Sequence, residues 1–339
     1  MRDPHFEHLH SQGFSVRPAR LEDVPTVVVM LNGALTSQSR AATYTVERYL
    51  REWQAPGFHL DEDTRLVFSP EGRLVGCAEV WTPAGPPIHP WIWARVDPQW
   101  EGRGIGTAMM AWSLNRAMAA LDRVPKGARV APRAGTRPSH AASVALFRDF
   151  GFSLVRISWF MTIDLTAPPT TPAWPPGIRL QPYRRPQDLE LVYRCVRDSF
   201  RDHWASVEVP FEQGLELFRH SATVLHPVEP DLWFVAVDGD EIAGVSLCRR
   251  CSDDDPEMGW VDTLAVRREW RRKGLGLALL LHSFHALRES GARRAGGHVD
   301  AGNLTGATRL YRRAGVSISG ESSLYELELQ PGEELGTHE

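Results

Sequence analysis

The chain has 339 residues, 42% hydrophobic and 24% charged, with a formal net charge of −4. That length suggests about two domains. The composition is that of a soluble globular protein with cores large enough to need no staple. The slight negative charge argues against a dedicated nucleic-acid binder, whose domains are usually basic, and no apolar run nears the ~20 residues that cross a bilayer.

Four cysteines, Cys77, Cys195, Cys248 and Cys251, make no disulfide framework in a chain this long. The pair Cys248 and Cys251 lacks the second ligand pair of a zinc site and follows a strand-like run, so it reads as two small residues at a strand end.

In chain order, the opening stretch "MRDPHFEHLHSQ" has no apolar signal core, and residues 1–13 read as a disordered tail of a cytoplasmic protein. A first domain is expected over residues 14–165. "TAPPTTPAWPPG", residues 166–177, carries five prolines and reads as a linker, because proline removes backbone donors and fixes φ. A second domain is expected over 178–330.

The two halves match. "VRP" at 16–18 corresponds to "LQP" at 180–182, and "LFRDFG" at 146–151 to "LYRRAG" at 310–315, both displaced by 164 residues. The glycine loops "EGRGIG" and "RRKGLG" are displaced by 170 residues, which a length difference near "RVPKGARVAP" reverses. This is a domain duplication, since its period far exceeds the ~20–50 residues of repeat arrays.

The second half shows the order of elements. A strand starts at Ile178, and "QDLELVYRCVRDSF" has apolar residues near helical spacing. "DLWFVAVDGDEIAGVSLCRR" is two β runs around Asp238-Gly239, a hairpin signal. "MGWVDTLAV" is a third β run. "LGLALLLHSFHALRES" is a helix capped by Gly291, "RAGGHVDA" a short strand, "LTGATRLYRRAG" a helix closed by Gly315, and "SLYELEL" a final strand. The class is α/β, a mixed sheet with helices packed on it.

Between the third β run and the following helix lies Arg271-Arg272-Lys273-Gly274-Leu275-Gly276. A glycine-rich turn that opens a helix is an anion site: the first-turn N–H groups have no partner in the helix, and the dipole favours negative charge. The basic residues add countercharge. The spacing is neither that of an ATP-cradling loop nor GxGxxG.

The wider stretch, "LAVRREWRRKGLGLALL" followed by "DAGNLTGATRLYRRAG", resembles the GNAT superfamily of acyl-CoA-dependent N-acyltransferases. Its signature R/Q-x-x-G-x-G/A fits Arg271, Gly274 and Gly276. Asn303 and Tyr311 occupy the places of the family's later Asn and Tyr. The resemblance covers residues 178–329, and by order of elements 14–165, so the chain is similar to a tandem GNAT protein.

The resemblance implies that acetyl-CoA is the cosubstrate. Its pyrophosphate would lie on Arg271, Arg272, Lys273, Gly274, Leu275, Gly276 and Leu277, with backbone contacts to its arm from Leu264, Ala265 and Val266. Asn303 would bind the pantetheine arm, although it reads equally as a helix N-cap. The chemistry is attack of an amine on a thioester. An amine of pKa near ~10.4 must lose a proton and a thiolate of about 8.5 must gain one. Tyr311 is the candidate acid. Alternation places Trp260, Asp262 and Leu264 on one face, and Asp262 is the candidate base, with Glu257 second; a surface Asp fits as well. His298 reads as a strand filler. The acceptor, a small-molecule amine, is expected near "SFRDHWASVEVP".

In the first half, Glu101 stands in place of Arg271, Ser139 of Asn303 and Phe147 of Tyr311, so that domain reads as catalytically impaired. The alternative function is a non-catalytic acyl-CoA sensor or scaffold. No nucleic-acid, membrane or metal partner is expected, and the protein reads as a monomer or homodimer.

Overall fold

The computed structural model describes residues 3–37, 43–82, 85–184, 187–252, 255–302 and 307–337. In chain order the strands are β1 (Ser15–Arg17), β2 (Thr64–Phe68), β3 (Leu74–Trp81), β4 (Trp91–Val96), β5 (Arg133–Thr136), β6 (Ser153–Asp164), β7 (Ile178–Pro182), β8 (Trp233–Asp238), β9 (Glu241–Arg249), β10 (Met258–Val266), β11 (Arg294–Asp300) and β12 (Ser317–Glu326). The helices are α1 (Glu7–Ser11), α2 (Val24–Ser37), α3 (Val46–Trp53), α4 (Leu60–Asp63), α5 (Ile105–Met118), α6 (Ala141–Asp149), α7 (Leu189–Phe200), α8 (Phe211–His220), α9 (Leu275–Glu289) and α10 (Ala307–Arg313).

The chain forms two compact units, Met1–Val155 with Ser323–Leu335, and Arg156–Ser322 with Gly336–Glu339. These differ from the contiguous division at 165 and 178. The physical reason is strand pairing. In the first unit the outer edge of β5 is covered by the end of β12, with Ser323 opposite Thr136 and Glu326 opposite Arg133. In the second unit the outer edge of β11 is covered by β6, with Asp300 opposite Ser158 and Arg294 opposite Asp164. Each unit thus has its exposed sheet edge closed by a strand from the far half of the sequence.

The first unit's sheet runs β1-β2-β3-β4-β5 and then residues 323–326. The second runs β6-β11-β10-β9-β8-β7. Pairing is antiparallel except for β4 with β5 and β10 with β11. Both sheets are covered on two faces, which is why β3 and β8 are near-continuous apolar runs. In the second unit α9 and α10 cover one face over Phe234, Ala243, Val261 and Val299, and α7 covers the other over Val235, Val245 and Leu247. The β8–β9 hairpin forms as expected, with Asp238 opposite Glu241 and Gly239 at φ +60°.

The expected disordered tail is instead ordered from residue 3. A short 3₁₀ turn and α1 carry Phe6 and Leu9, which are both wholly buried among Ile105, Met109 and Trp112. The two apolar side chains outweigh the polar character of the surrounding sequence. Residues 166–177 form no helix or strand, but Trp174 packs on His282 of α9.

One buried carboxylate stands out in the first unit. Glu79 accepts hydrogen bonds from the Tyr49 hydroxyl (2.5 Å), Trp53 Nε1 (2.9 Å) and Trp81 Nε1 (2.8 Å). Burial pushes its pKa up, against these three donors.

Candidate functional site

In the second unit β10 and β11 pair over only three positions, from Met258 opposite Arg294 to Trp260 opposite Gly296. Beyond that point β11 continues against β6 and β10 against β9, so the two strands part. A gap opens whose β10 side is the backbone of Val261–Val266. Backbone groups alternate along the strand: those of Ala265 face Val245 of β9, whereas those of Leu264 and Val266 point into the gap, where the Val266 carbonyl accepts from Arg271 and the Leu264 groups and the Val266 N–H are open to a ligand.

A bulge interrupts β10 between Val261 and Thr263. It adds a residue and shifts the alternation. Trp260 lies opposite Arg249, and Asp262 bonds that same side chain, so both face α7 and α8. Leu264 instead joins Val261 and Val266 in the core under α9. The single face expected for Trp260, Asp262 and Leu264 is therefore broken by the bulge.

The glycine loop ends at the mouth of this gap. Gly274 takes φ +91° as the N-cap of α9 and makes no side-chain cap, so the first-turn amides of Leu275, Gly276 and Leu277 stay open to an anion. The Leu275 side chain is buried and that of Leu277 packs on the core, which leaves only their N–H groups for a ligand. Gly276 lies against α10: a Cβ there would stand 2.9 Å from Leu310 Cδ1. Arg272 has φ +61°, a conformation costly for a side chain with a Cβ.

The basic residues divide their work differently from the expectation. Arg271 turns away from the loop: Nη1 pairs with Asp202 at 2.8 Å, Nη2 donates to the Ser199 carbonyl at 2.7 Å, and Nε donates to the Val266 carbonyl at 3.1 Å. Arg268 holds the same carboxylate at 2.6 Å. These hydrogen bonds pull Asp202 down to about 2. Arg272 and Lys273 are exposed and make no ion pair among the described residues, so they are the loop's available cations.

Tyr311 on α10 is 8% exposed, with its hydroxyl 3.9 Å from the position a Cβ on Gly297 would take. Gly297 follows the last β10–β11 pair, so the phenol sits where the strands part. Burial pushes it up to about 12, with Cys248 adding to the shift. Asp262 is held by Arg249 through two bonds of 2.6 and 3.0 Å. Arg249 also lies 3.4 Å from His226 Nδ1, which follows a single π turn over Ser221–Leu225. Glu257 is exposed beside the start of β10. Asn303 lies outside the described residues.

Two features escaped the sequence. Phe160 of β6, Trp260 of β10 and His298 of β11 form a three-ring cluster, with centroids 5.2–5.3 Å apart. Alternation could place His298 and Trp260, but Phe160 comes from the other half of the chain. The loop after α7 is also clamped by Thr337, since Ala205 N–H donates to the Thr337 carbonyl at 2.8 Å and Thr337 N–H to the Ser206 carbonyl at 3.1 Å. Ala205 takes φ +58° there.

The first unit repeats the design. β4 and β5 pair only at Trp91–Arg133 and Ile92–Ala134, and Gly102 and Gly104 take φ +74° and +80°. A cavity of about 940 Å³ lies along this splay, lined by β4, the glycine loop and Phe147. Glu101 pairs with His140 at 3.7 Å. The Glu101 carboxylate thus lies beside the glycine loop, where it disfavours a phosphate relative to the second unit. Phe147 also offers no proton.

The acetyltransferase (GNAT) family matches residues 32–152 and 191–316. A mycothiol acetyltransferase of Thermobispora bispora is 29% identical over 69% of this chain and 74% of its own. One of Salinispora arenicola is 29% identical over 79% and 81%. Among solved structures, a GCN5-related N-acetyltransferase from Sphaerobacter thermophilus matches with TM-score 0.79 and 28% identity, covering 96% of this chain and 98% of its own. A tandem GNAT protein from the clavulanic acid biosynthesis pathway shares the fold, with TM-score 0.68 and 18% identity over 94% of this chain and 100% of its own.

Proposed function

The chain belongs to the acetyltransferase (GNAT) family, with acetyl-CoA as cosubstrate, and from that premise we propose that it transfers the acetyl group directly to a primary amine of a small molecule in the second unit. The supporting observation is the conjunction at one gap of the open α9 N-terminus, the unpaired β10 backbone and the Tyr311 hydroxyl. The relatives named mycothiol acetyltransferases support a small-molecule acceptor.

Each group has a task. The α9 amides, with Arg272 and Lys273, bind the pyrophosphate, and the β10 backbone holds the arm and polarises the thioester carbonyl. Asn303 is assigned to the arm as well. Tyr311 keeps its proton through the neutral range and donates to sulfur as the C–S bond breaks. Full transfer from a phenol near 12 to a thiolate near ~8.5 is uphill by roughly 5 kcal/mol, so the favoured role is a hydrogen bond to the developing thiolate. Asp262 and Arg249 mark the acceptor side, where the carboxylate attracts an ammonium group. The first unit, with Phe147 in place of Tyr311, holds a cleft without the proton donor.

The test is thiol release from acetyl-CoA across an amine panel, with CoA titrated calorimetrically into the protein and its Gly276→Asp variant. Release with at least one amine, and weaker CoA binding in the variant, supports the reading. CoA affinity that is unchanged in the folded variant overturns it.

A further inference from the structure

We propose that His298 is the general base that deprotonates the acceptor amine, a role that rests on the second unit being the site of transfer. Consecutive residues of a strand face opposite sides of the sheet. On β11, Gly297 meets the Tyr311 hydroxyl on the α9–α10 face, while His298 emerges on the other. Both follow the last β10–β11 pair at Gly296. The imidazole thus stands at the parting of the strands, back to back with the proton donor for sulfur.

Its position is fixed and accessible. The rings of Trp260 and Phe160 meet it nearly edge-on, at 74° and 79° and 5.3 Å between centroids. His298 is exposed on this face. The two aromatic rings hold the imidazole from two sides and leave its outer edge open to an incoming amine.

Among the described residues, the nearby carboxylates are each held by a guanidinium group. On β10 and β9, Asp262 is held in a fork by Arg249, which also approaches His226. On β11 and β6, Asp300 is held by Arg156 through contacts of 2.8–3.0 Å. After α7, His203 is half-buried near Arg271 and Asp300, and desolvation, with the Arg271 charge, lowers its pKa. Both carboxylates already spend their oxygens on guanidinium forks, whereas an imidazole, with an ordinary value near ~6.5, suits general base work at neutral pH.

The step balances. An imidazole nitrogen takes a proton from the ammonium and passes it to water. The freed lone pair forms the C–N bond, the electron pair of the C–S bond leaves with sulfur, and the thiolate gains a proton. The nitrogen sheds its remaining extra proton through the imidazole, giving the amide, the free thiol and one net proton.

The experiment measures kcat/KM for one accepted amine from pH 5 to 9 in the protein, His298→Gln, His298→Ala, Asp262→Asn and Tyr311→Phe, with CoA affinity and thermal unfolding recorded for each. The expected result is a rising limb in the imidazole range that Asp262→Asn retains. Both His298 variants should lose the limb and ~10²–10⁴-fold in rate, with CoA affinity unchanged, and added imidazole should rescue His298→Ala. A folded His298→Gln that keeps limb and rate overturns the proposal. Loss of the limb in Asp262→Asn alone transfers the role to Asp262 and also overturns it. If His298 variants and Tyr311→Phe all keep full turnover, the failure lies with the second unit as the site.

Discussion

Arg271, in the glycine loop, bonds Asp202, in the loop after α7, at 2.8 Å, and its second terminal nitrogen reaches the Ser199 carbonyl near the end of α7 at 2.7 Å. The signature arginine thus ties the glycine loop to the loop after α7. Arg271→Ala should raise the acceptor KM several-fold and leave CoA affinity nearly unchanged. The double variant Arg272→Ala/Lys273→Ala should do the reverse. Two exposed cations at ~0.2–1 kcal/mol each amount to roughly two- to thirty-fold in CoA affinity. Calorimetry and steady-state kinetics separate the two patterns.

Tyr311→Phe removes one hydroxyl and keeps the ring in its buried seat. Turnover should fall by ~10–10³-fold, below the full range for acid catalysis because the role is hydrogen-bond donation. CoA affinity should hold. Phe147→Tyr should create no second active site, since Ser139 remains in place of Asn303; turnover measured in the Phe147→Tyr/Tyr311→Phe double variant would reveal any such gain.

The fold class, the duplication and the glycine loop were legible because each rests on local pattern: β runs, helix caps and a spaced pair of glycines. The roles of Arg271 and of the 260–264 face were not. A guanidinium can reach several partners from one backbone position, and a bulge between Val261 and Thr263 leaves no mark in the alternation of "GWVDTLAV". The edge strands were misassigned for a different reason. Segments such as "SLYELEL" read as strands, but nothing local says which β neighbour they will pair with. The tail was misread because two residues, Phe6 and Leu9, carry its entire burial.

Glu79 gives a pH prediction. Burial raises its folded-state pKa above the ordinary value near ~4.3. The native protein then keeps a proton that the unfolded chain releases, so stability contributed at Glu79 is present at low pH and declines as pH rises from the ordinary value through the folded one. Glu79→Gln cannot ionise and should flatten that decline. Urea midpoints for both proteins from pH 4 to 8 check it; parallel curves would refute it.

Truncation after Ser322 removes the strand beside β5. It also removes Glu326 and Glu334, which pair with Arg129 at 2.5 and 3.0 Å, and Glu326 pairs with Arg133 at 3.0 Å. Amide exchange should accelerate in β4 and β5 while α9 keeps its protection. Equal protection in both would mean the segment is dispensable.

Closure of β5 by Ser323–Glu326 also sets a timetable for synthesis. Thr136 leaves the ribosome 187 residues before Ser323, an interval of ~10–40 s at ordinary elongation rates. Throughout it the first unit has a bare sheet edge and an incomplete charge network at Arg129 and Arg133. The nascent chain therefore cannot finish its first unit before the second is almost entirely translated. A gene cut at the proline-rich segment would yield two products, each missing the strand the other carries.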